Sequence, residues 1–396
     1  MLRIPSAGTP VTCFDLLKGL TCTGASIEAF EEDLEIFLSA KCCQVTGSGT
    51  SALYAILLAL KGMSDRHEVL LPAYTAPSLI LPIRKAGLNP VLCEVSTETL
   101  NTGSDVFLDR VNSNTLAVMP VHMFGLATDV ARLTEKLEGT GTYCIEDACS
   151  AMGTEIGGHQ AATLGDVGFI SFNRGKNLST LSGGAVVTNR KDLAEAIIPH
   201  LDGYPIPGVK RRLRNHVFAS ALALAVKPGG YTLLHSLVSK FKYTELHTDF
   251  ETWSYTGFQA GLGRALLKKA VSIFDKRKCN GRTLIRQLDS VKGVQLPDLL
   301  EGSNPVYNQF PILLPDEDTR ARAHRAIVET GLESTLLYPD PIHRIYGEFR
   351  EASGVDSYPE ATDISKRLLL FPVHPLVPEP RLECATDALK SALEQA

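Results

Sequence analysis

Between residues 143 and 189 the chain reads YCIEDACSAMG and then, after a short interval, GDVGFISFNRGKNLSTLSGGAVVTN. An apolar run ends in two acids, Glu146 and Asp147. About thirty residues later one lysine, Lys176, stands between a Ser/Asn/Gly-rich approach and the pair Gly183 and Gly184. A lysine amine can form an imine with an aldehyde, and a carboxylate can keep a pyridine nitrogen protonated so that the ring withdraws electrons. These residue types in this order suit the holding of an aldehyde cofactor. A lysine among polar residues and glycines is more often a plain solvated side chain, so the surrounding features decide. The acids close a strand that reads as buried, where a carboxylate needs a partner. Ser171 precedes the lysine on the far side of the same turn, and the glycine pair lets backbones pack closely.

The elements that must position these groups follow from the pattern of the chain. Residues 1–40 read as an arm, a turn at Thr23 and Gly24, and a helix with Ile27, Phe30, Leu34, Ile36, Phe37 and Leu38 on a broad apolar face; Glu28, Glu31, Glu32 and Asp33 favour its start. A short strand at 42–45 then feeds the small polar turn 46–51 and a helix from Ala52. Backbone N–H groups at such a helix start, with Gly49, Thr50 and Ser51 beside them, can seat a phosphate; a simple capped strand-to-helix turn gives the same pattern. The turn lacks the third glycine of a dinucleotide fingerprint. Next come a strand ending at Tyr74, a helical stretch closed by Gly87, a strand at 90–95, and a strand–loop–helix unit with His122 at its strand end. GDVGFISF and GGAVVTN read as strands flanking the lysine loop. Short apolar strands alternating with helices predict a mostly parallel sheet covered on both faces, with ligands at the strand ends. From about Asn280 a smaller α+β unit follows: a strand in YNQFPILLPD, a helix in DTRARAHRAIVETG, a strand in STLLYPDPIH and another near LLLFPVHPL, with His343 and His374 in loops after strands.

Composition narrows the class. At 396 residues, 44% hydrophobic and 21% charged, the chain fits a soluble enzyme core plus a smaller domain, and a net charge of −5 gives no general attraction to nucleic acid. Nine scattered cysteines without CxxC spacing read as reduced thiols, not a metal site. The amino-terminal sequence carries no secretory pattern and no apolar run approaches the ~20 residues of a membrane span, so a cytoplasmic location is expected.

The ordered set GTSALYAILLAL, LPAYT, PVHMFG, IEDACSAMG, LGDVGFISF, GKNLSTLSGGAVVTN and LLLFPVHPL resembles the DegT/DnrJ/EryC1/StrS family of sugar aminotransferases over roughly 350 residues. The resemblance implies an α/β, aspartate-aminotransferase-like fold of type I: a large domain with a mostly parallel mixed sheet and a smaller α+β C-terminal domain. It implies pyridoxal 5'-phosphate as cofactor and transfer of an amino group from glutamate or glutamine to a nucleotide-linked keto-sugar, in polysaccharide or secondary-metabolite sugar biosynthesis. It further implies a homodimer. Lys176 matches the Schiff-base lysine and Asp147 the acid facing the pyridine nitrogen. Gly49, Thr50, Ser51 and Ser171 match phosphate-binding positions, Tyr74 and Ser150 fall at cofactor-lining positions, and His122, His343 and His374 at positions that meet substrate. Dehydratases of the family carry histidine in place of the lysine, so Lys176 points to amino transfer.

The chain also departs from the pattern. Ala76 replaces the aromatic that usually covers the cofactor ring, Ser150 and Met152 replace a glutamine and a histidine, and Thr252 and Ser254 replace the asparagine and arginine that reach a phosphate across the dimer. These changes keep a non-catalytic sensor and a non-sugar or lipid-linked ketone as alternative readings. The expected organisation is a large domain over 1–207, a helical insertion over 208–250, a connecting helix over 251–279 and a small domain over 280–396. The insertion opens with Lys210, Arg211, Arg212 and Arg214 and continues as two apolar helical segments broken at Pro228. We read it as a hairpin packed on the partner subunit or over the active site, with contact to an anionic membrane surface as the alternative.

Overall fold

The computed structural model describes residues 2–22, 25–225, 229–233, 248–349 and 355–394. Its centre is a seven-stranded sheet: β1 Cys42–Thr46, β2 Glu68–Pro72, β3 Asn89–Cys93, β4 Thr115–Val118, β5 Tyr143–Asp147, β8 Val167–Ser171 and β9 Gly184–Thr188, in spatial order β1-β9-β8-β5-β4-β2-β3. The short strands β6 Glu155–Ile156 and β7 His159–Gln160 join β10 Ser303–Asn304 in a small separate sheet. Six of the seven central strands run the same way, and only β9 is reversed, antiparallel to both β1 and β8. Residues of β4, β8 and β9 are buried throughout, as expected where helices cover both faces.

This topology gathers the chemistry. The ends of β1, β5 and β8 and the beginning of β9 lie along one edge of the sheet, with Thr46 paired to Gly184, Gly184 to Ser171, and Asp147 to Phe169. Every segment of the motif region therefore emerges beside its neighbours.

Helix Ala25–Leu38 buries Phe30, Leu34 and Leu38, an i, i+4, i+8 stripe. Ile36 points the other way and is 79% exposed, so the apolar face is narrower than the sequence suggested. The same helix seals the free edge of β1: the Val45 amide donates to Glu31 Oε1 at 2.8 Å and the Cys43 amide to Glu35 Oε1 at 3.0 Å. Edge amides left open would invite another strand.

The C-terminal part pairs β11 Phe310–Leu313 with β12 Leu368–Phe371 antiparallel, packed on helix Glu317–Glu329, which packs in turn on helix Glu379–Glu394. The expected strand in STLLYPDPIH does not form; it makes one bridge, Thr335 with Leu370, before Leu337 turns left-handed at φ 55°. Helix Ala270–Leu288 runs unbroken into this part. The amino-terminal arm is held there too: the ring of His374 donates from Nε2 to the Pro5 carbonyl at 2.9 Å, Gln309 to that of Ser6 at 3.2 Å, and buried Arg277 to that of Gly8 at 3.4 Å.

The basic cluster opens helix Val209–Ala225, where Val209, Leu213 and Val217 are exposed and Arg211 stacks on Trp253 at 4.3 Å. The break at Pro228, most of the second apolar segment, and the turn at Thr23 and Gly24 lie outside the described residues. Among the described residues, no helix is long and apolar enough to cross a membrane, and no His/Cys/Asp/Glu cluster could hold a metal ion. All nine cysteines are free thiols.

Candidate active site

Helix Gly49–Met63 starts three residues earlier than its apolar pattern because Ser48 caps it, taking the Ser51 amide on Oγ at 3.0 Å. The amides of Gly49 and Thr50 begin the helix and have no carbonyl one turn back to receive them. Ser51 is buried and its hydroxyl is paired with that of Ser48 at 2.8 Å, so the backbone of Gly49 and Thr50 is the free part of this turn. The turn crosses over the start of β9 to reach the end of β8. A Cβ on Gly184 would stand 2.5 Å from the Gly49 nitrogen, and one on Gly49 would stand 3.2 Å from Ser171 Cβ and 3.1 Å from Cys149 Sγ. Glycine at both positions is what allows helix start, Ser171 and Cys149 to share one small space.

Asp147 ends β5, almost fully buried, and its Oδ1 accepts the Cys149 amide at 2.9 Å. Burial pushes the Asp147 carboxyl above its ordinary value, although that amide and the charge of Lys176 pull against it. Burial, and then the charge of Asp147, push the Cys149 thiol well up, so it remains a thiol. Lys176 lies in the loop between β8 and β9, after a left-handed turn at Gly175, and its Nζ donates to Ser150 Oγ at 3.0 Å. Lys176, Asp147, Ser150, Ser171, Gly49 and Thr50 thus converge at one strand-end edge.

Glu146, one residue earlier, faces the opposite way and anchors the strand. Its Oε1 accepts from His122 Nε2 and the Ala162 amide, both at 2.8 Å; its Oε2 accepts from the Leu164 amide at 2.9 Å and the Gly165 amide at 3.1 Å. Burial works against ionisation of Glu146, but His122 and these amides outweigh it and hold the carboxyl below its ordinary value. The Thr128 amide donates to His122 Nδ1 at 3.0 Å, which fixes the proton of the ring on Nε2. The His122 backbone N–H also donates to the Asp147 carbonyl at 3.0 Å.

The remaining expected site residues are engaged elsewhere. His122 is walled in between Glu146 and Thr128. His374 is buried against Pro5, and burial pushes it down to about 3 despite that bond. His343 is buried with Nε2 3.0 Å from Asp356 Oδ1. Tyr74 has its ring buried and its hydroxyl given to the Tyr338 carbonyl at 3.2 Å. Ser254 donates to the Tyr204 carbonyl of its own chain at 2.7 Å, and the neighbouring Trp253 carbonyl takes the Gly47 amide at 2.7 Å, bracing the turn below the helix start. Two neighbours of the site escaped sequence reasoning: Cys149, and Ala7 of the arm, whose Cβ lies 3.5 Å from where a Cβ on Gly175 would be. Only Cys149 had a local signal, its place two residues after Asp147.

The donors present fit an anionic aldehyde cofactor with a basic ring. Orphan helix-start amides and a hydroxyl suit its phosphate, and a protonated ring nitrogen would relieve the burial cost that Asp147 now carries, since an opposite charge favours the ionised carboxyl. An acid, an amine and a helix start meeting at the strand ends of a mixed α/β sheet are what a fold-type-I aminotransferase requires. The model of the DegT/DnrJ/EryC1/StrS aminotransferase family matches residues 14–389, and the chain belongs to that pyridoxal-phosphate-dependent family. Among relatives, the lipopolysaccharide biosynthesis protein RfbH of Salmonella typhimurium is 28% identical over 336 residues, covering 81% of this chain and 74% of that one. The dTDP-3-amino-3,4,6-trideoxy-alpha-D-glucose transaminase of Streptomyces venezuelae is 25% identical over 379 residues, covering 96% and 90%. The X-ray structure of an aminotransferase from Psychrobacter cryohalolentis superposes with a TM-score of 0.80 over 99% of each chain at 21% identity, a likeness of fold.

Proposed function

We propose that the protein transfers an amino group from glutamate or glutamine to the ketone carbon of a nucleotide-linked sugar, using pyridoxal 5'-phosphate bound at Lys176. The observation that carries this reading is the meeting of Lys176, buried Asp147 and the Gly49 and Thr50 amides at one sheet edge. Bound there, the cofactor supplies an aldehyde that carries the amino group and a ring that withdraws electrons. The residues do the rest. Gly49 and Thr50 would give backbone N–H groups, and Ser171 a hydroxyl, to the phosphate. Asp147 would supply negative charge to the ring nitrogen from a buried position, where charge pairing is strong. Lys176 moves a proton to and from the substrate carbon as acid and base, and Ser150 holds its Nζ in place between transfers. The name of the Streptomyces venezuelae relative supports a nucleotide-linked sugar as the acceptor class.

The test is direct. The purified protein, loaded with pyridoxal phosphate, is given L-glutamate or L-glutamine with a panel of dTDP- and GDP-linked keto-sugars, and products are weighed by mass spectrometry. An amino-sugar is the expected product. A deoxy-sugar without nitrogen, or a cofactor band that no amino donor changes, would remove this reading in favour of elimination or sensing.

A further inference from the structure

Ala76 offers no ring, and the one aromatic of the segment that follows β2, Tyr74, is itself buried. A loop from the C-terminal part is fastened along that segment. The Tyr74 hydroxyl donates to the Tyr338 carbonyl at 3.2 Å, the Ile342 amide to the Ala73 carbonyl at 2.9 Å, and the Tyr346 hydroxyl to the Pro77 carbonyl at 3.1 Å. The three bonds bracket Ala76. They hold Tyr338 as the outer member of an aromatic pair: its ring meets that of buried Tyr74 edge-on, with centroids 6.2 Å apart, while Tyr338 itself is only half-buried. Leu337, just before it, adopts a φ of 55°, a left-handed conformation that a leucine rarely takes and that breaks the extended run at this point. The phenol comes within electrostatic reach of Asp147 and Cys149: burial first, then the charges of those two groups, push its ionisation up.

We propose that Tyr338 supplies the aromatic face that Ala76 lacks and packs on the pyridine ring of the cofactor held at Lys176 and Asp147. The assignment rests on the cofactor reading above. It makes Tyr338 a cofactor-positioning residue brought from about 260 residues away in sequence to the β2 segment, and it gives the loop bonds of Tyr74, Ile342 and Tyr346 a common purpose.

The experiment compares wild type, Tyr338→Leu, Tyr338→Phe, and Tyr338→Leu combined with Ala76→Phe. Leucine keeps apolar bulk, so the fold is retained while the aromatic face is lost. Two quantities are read: the dissociation constant of pyridoxal phosphate by titration of cofactor-free protein, and the induced circular dichroism of the bound cofactor. Tyr338→Leu is expected to weaken binding by about 3- to 10-fold, the scale of an aromatic contact, and to change the dichroism. Tyr338→Phe should match wild type, and Ala76→Phe should restore what leucine removed. Binding within twofold of wild type with unchanged dichroism in Tyr338→Leu overturns the assignment. So does a Tyr338→Phe protein as weak as Tyr338→Leu, which would assign the effect to the hydroxyl. A wild type that takes up no cofactor overturns the proposed function and this assignment with it.

Discussion

Replacing Glu146 by glutamine exchanges one carboxylate oxygen for an NH2 in a group whose partners all lie within the fold, and the structure sets the cost. Both carboxylate oxygens are fully used, Oε1 by His122 Nε2 and the Ala162 amide, Oε2 by the Leu164 and Gly165 amides. A glutamine offers one oxygen and one NH2, so in either orientation two of the four donors face another donor. His122 cannot escape by moving its proton to Nδ1, because the Thr128 amide already donates there. Each buried donor left without an acceptor costs roughly 1–3 kcal/mol, so the substitution should cost about 2–6 kcal/mol. That is a large share of the roughly 5–15 kcal/mol by which domains are stable. The assay is urea unfolding followed by far-UV circular dichroism. The sign of the pH dependence follows as well. The carboxyl of Glu146 lies below its ordinary value of 4.5, so its stabilising contribution is complete above that pH and is lost as pH falls through the lower, folded-state value. The gap between wild type and Glu146→Gln should therefore narrow in acid. A difference under about 0.5 kcal/mol at neutral pH, within the usual range of surface substitutions, would mean that this carboxylate is not the anchor of β5.

Two further outcomes are expected. Gly184→Ala puts a Cβ 2.5 Å from the Gly49 nitrogen and 2.7 Å from its Cα, both backbone atoms, so the helix start must move; overpacking of this kind costs about 1–3 kcal/mol, and pyridoxal phosphate affinity, read by titration, should fall by roughly 5- to 150-fold if the cost lies in the bound geometry. Glu31, raised to about 7 mainly by burial and further by Glu35 and Glu28, against the pull of the Val45 amide, is costly to ionise in the fold, so stability should decline as pH rises from about 4.5 to 7. Glu31→Gln keeps an oxygen for the Val45 amide and should flatten that decline in thermal melts across this range.

What the sequence made legible was local. The strand ending in Asp147, the lysine loop and the glycine pair all lie within one short stretch, and their pairing partners are neighbours in the sheet. The helix after β1 was legible in kind but not in its start, because Ser48 caps it ahead of the apolar pattern. Ile36 was misread onto a buried face since six apolar residues cannot all share the stripe that Phe30, Leu34 and Leu38 occupy. STLLYPDPIH has the composition of a strand, yet the left-handed turn at Leu337 ends its pairing after Thr335. The histidines carry no mark in sequence of whether a strand end opens to a pocket or closes on a carboxylate, and His122 turned out to do the latter. Tyr338 and Ala7 of the arm are brought beside Tyr74 and Gly175 only through contacts between segments far apart in the chain, which no local pattern encodes.

The central claim is that Lys176 holds pyridoxal phosphate opposite Asp147. Borohydride reduction of the cofactor-loaded protein, followed by proteolysis and peptide mass spectrometry, tests it most directly. The expected result is a single phosphopyridoxyl adduct on Lys176, absent from Lys176→Ala. An adduct confined to other lysines, or none on protein that has been saturated with the cofactor, would contradict it.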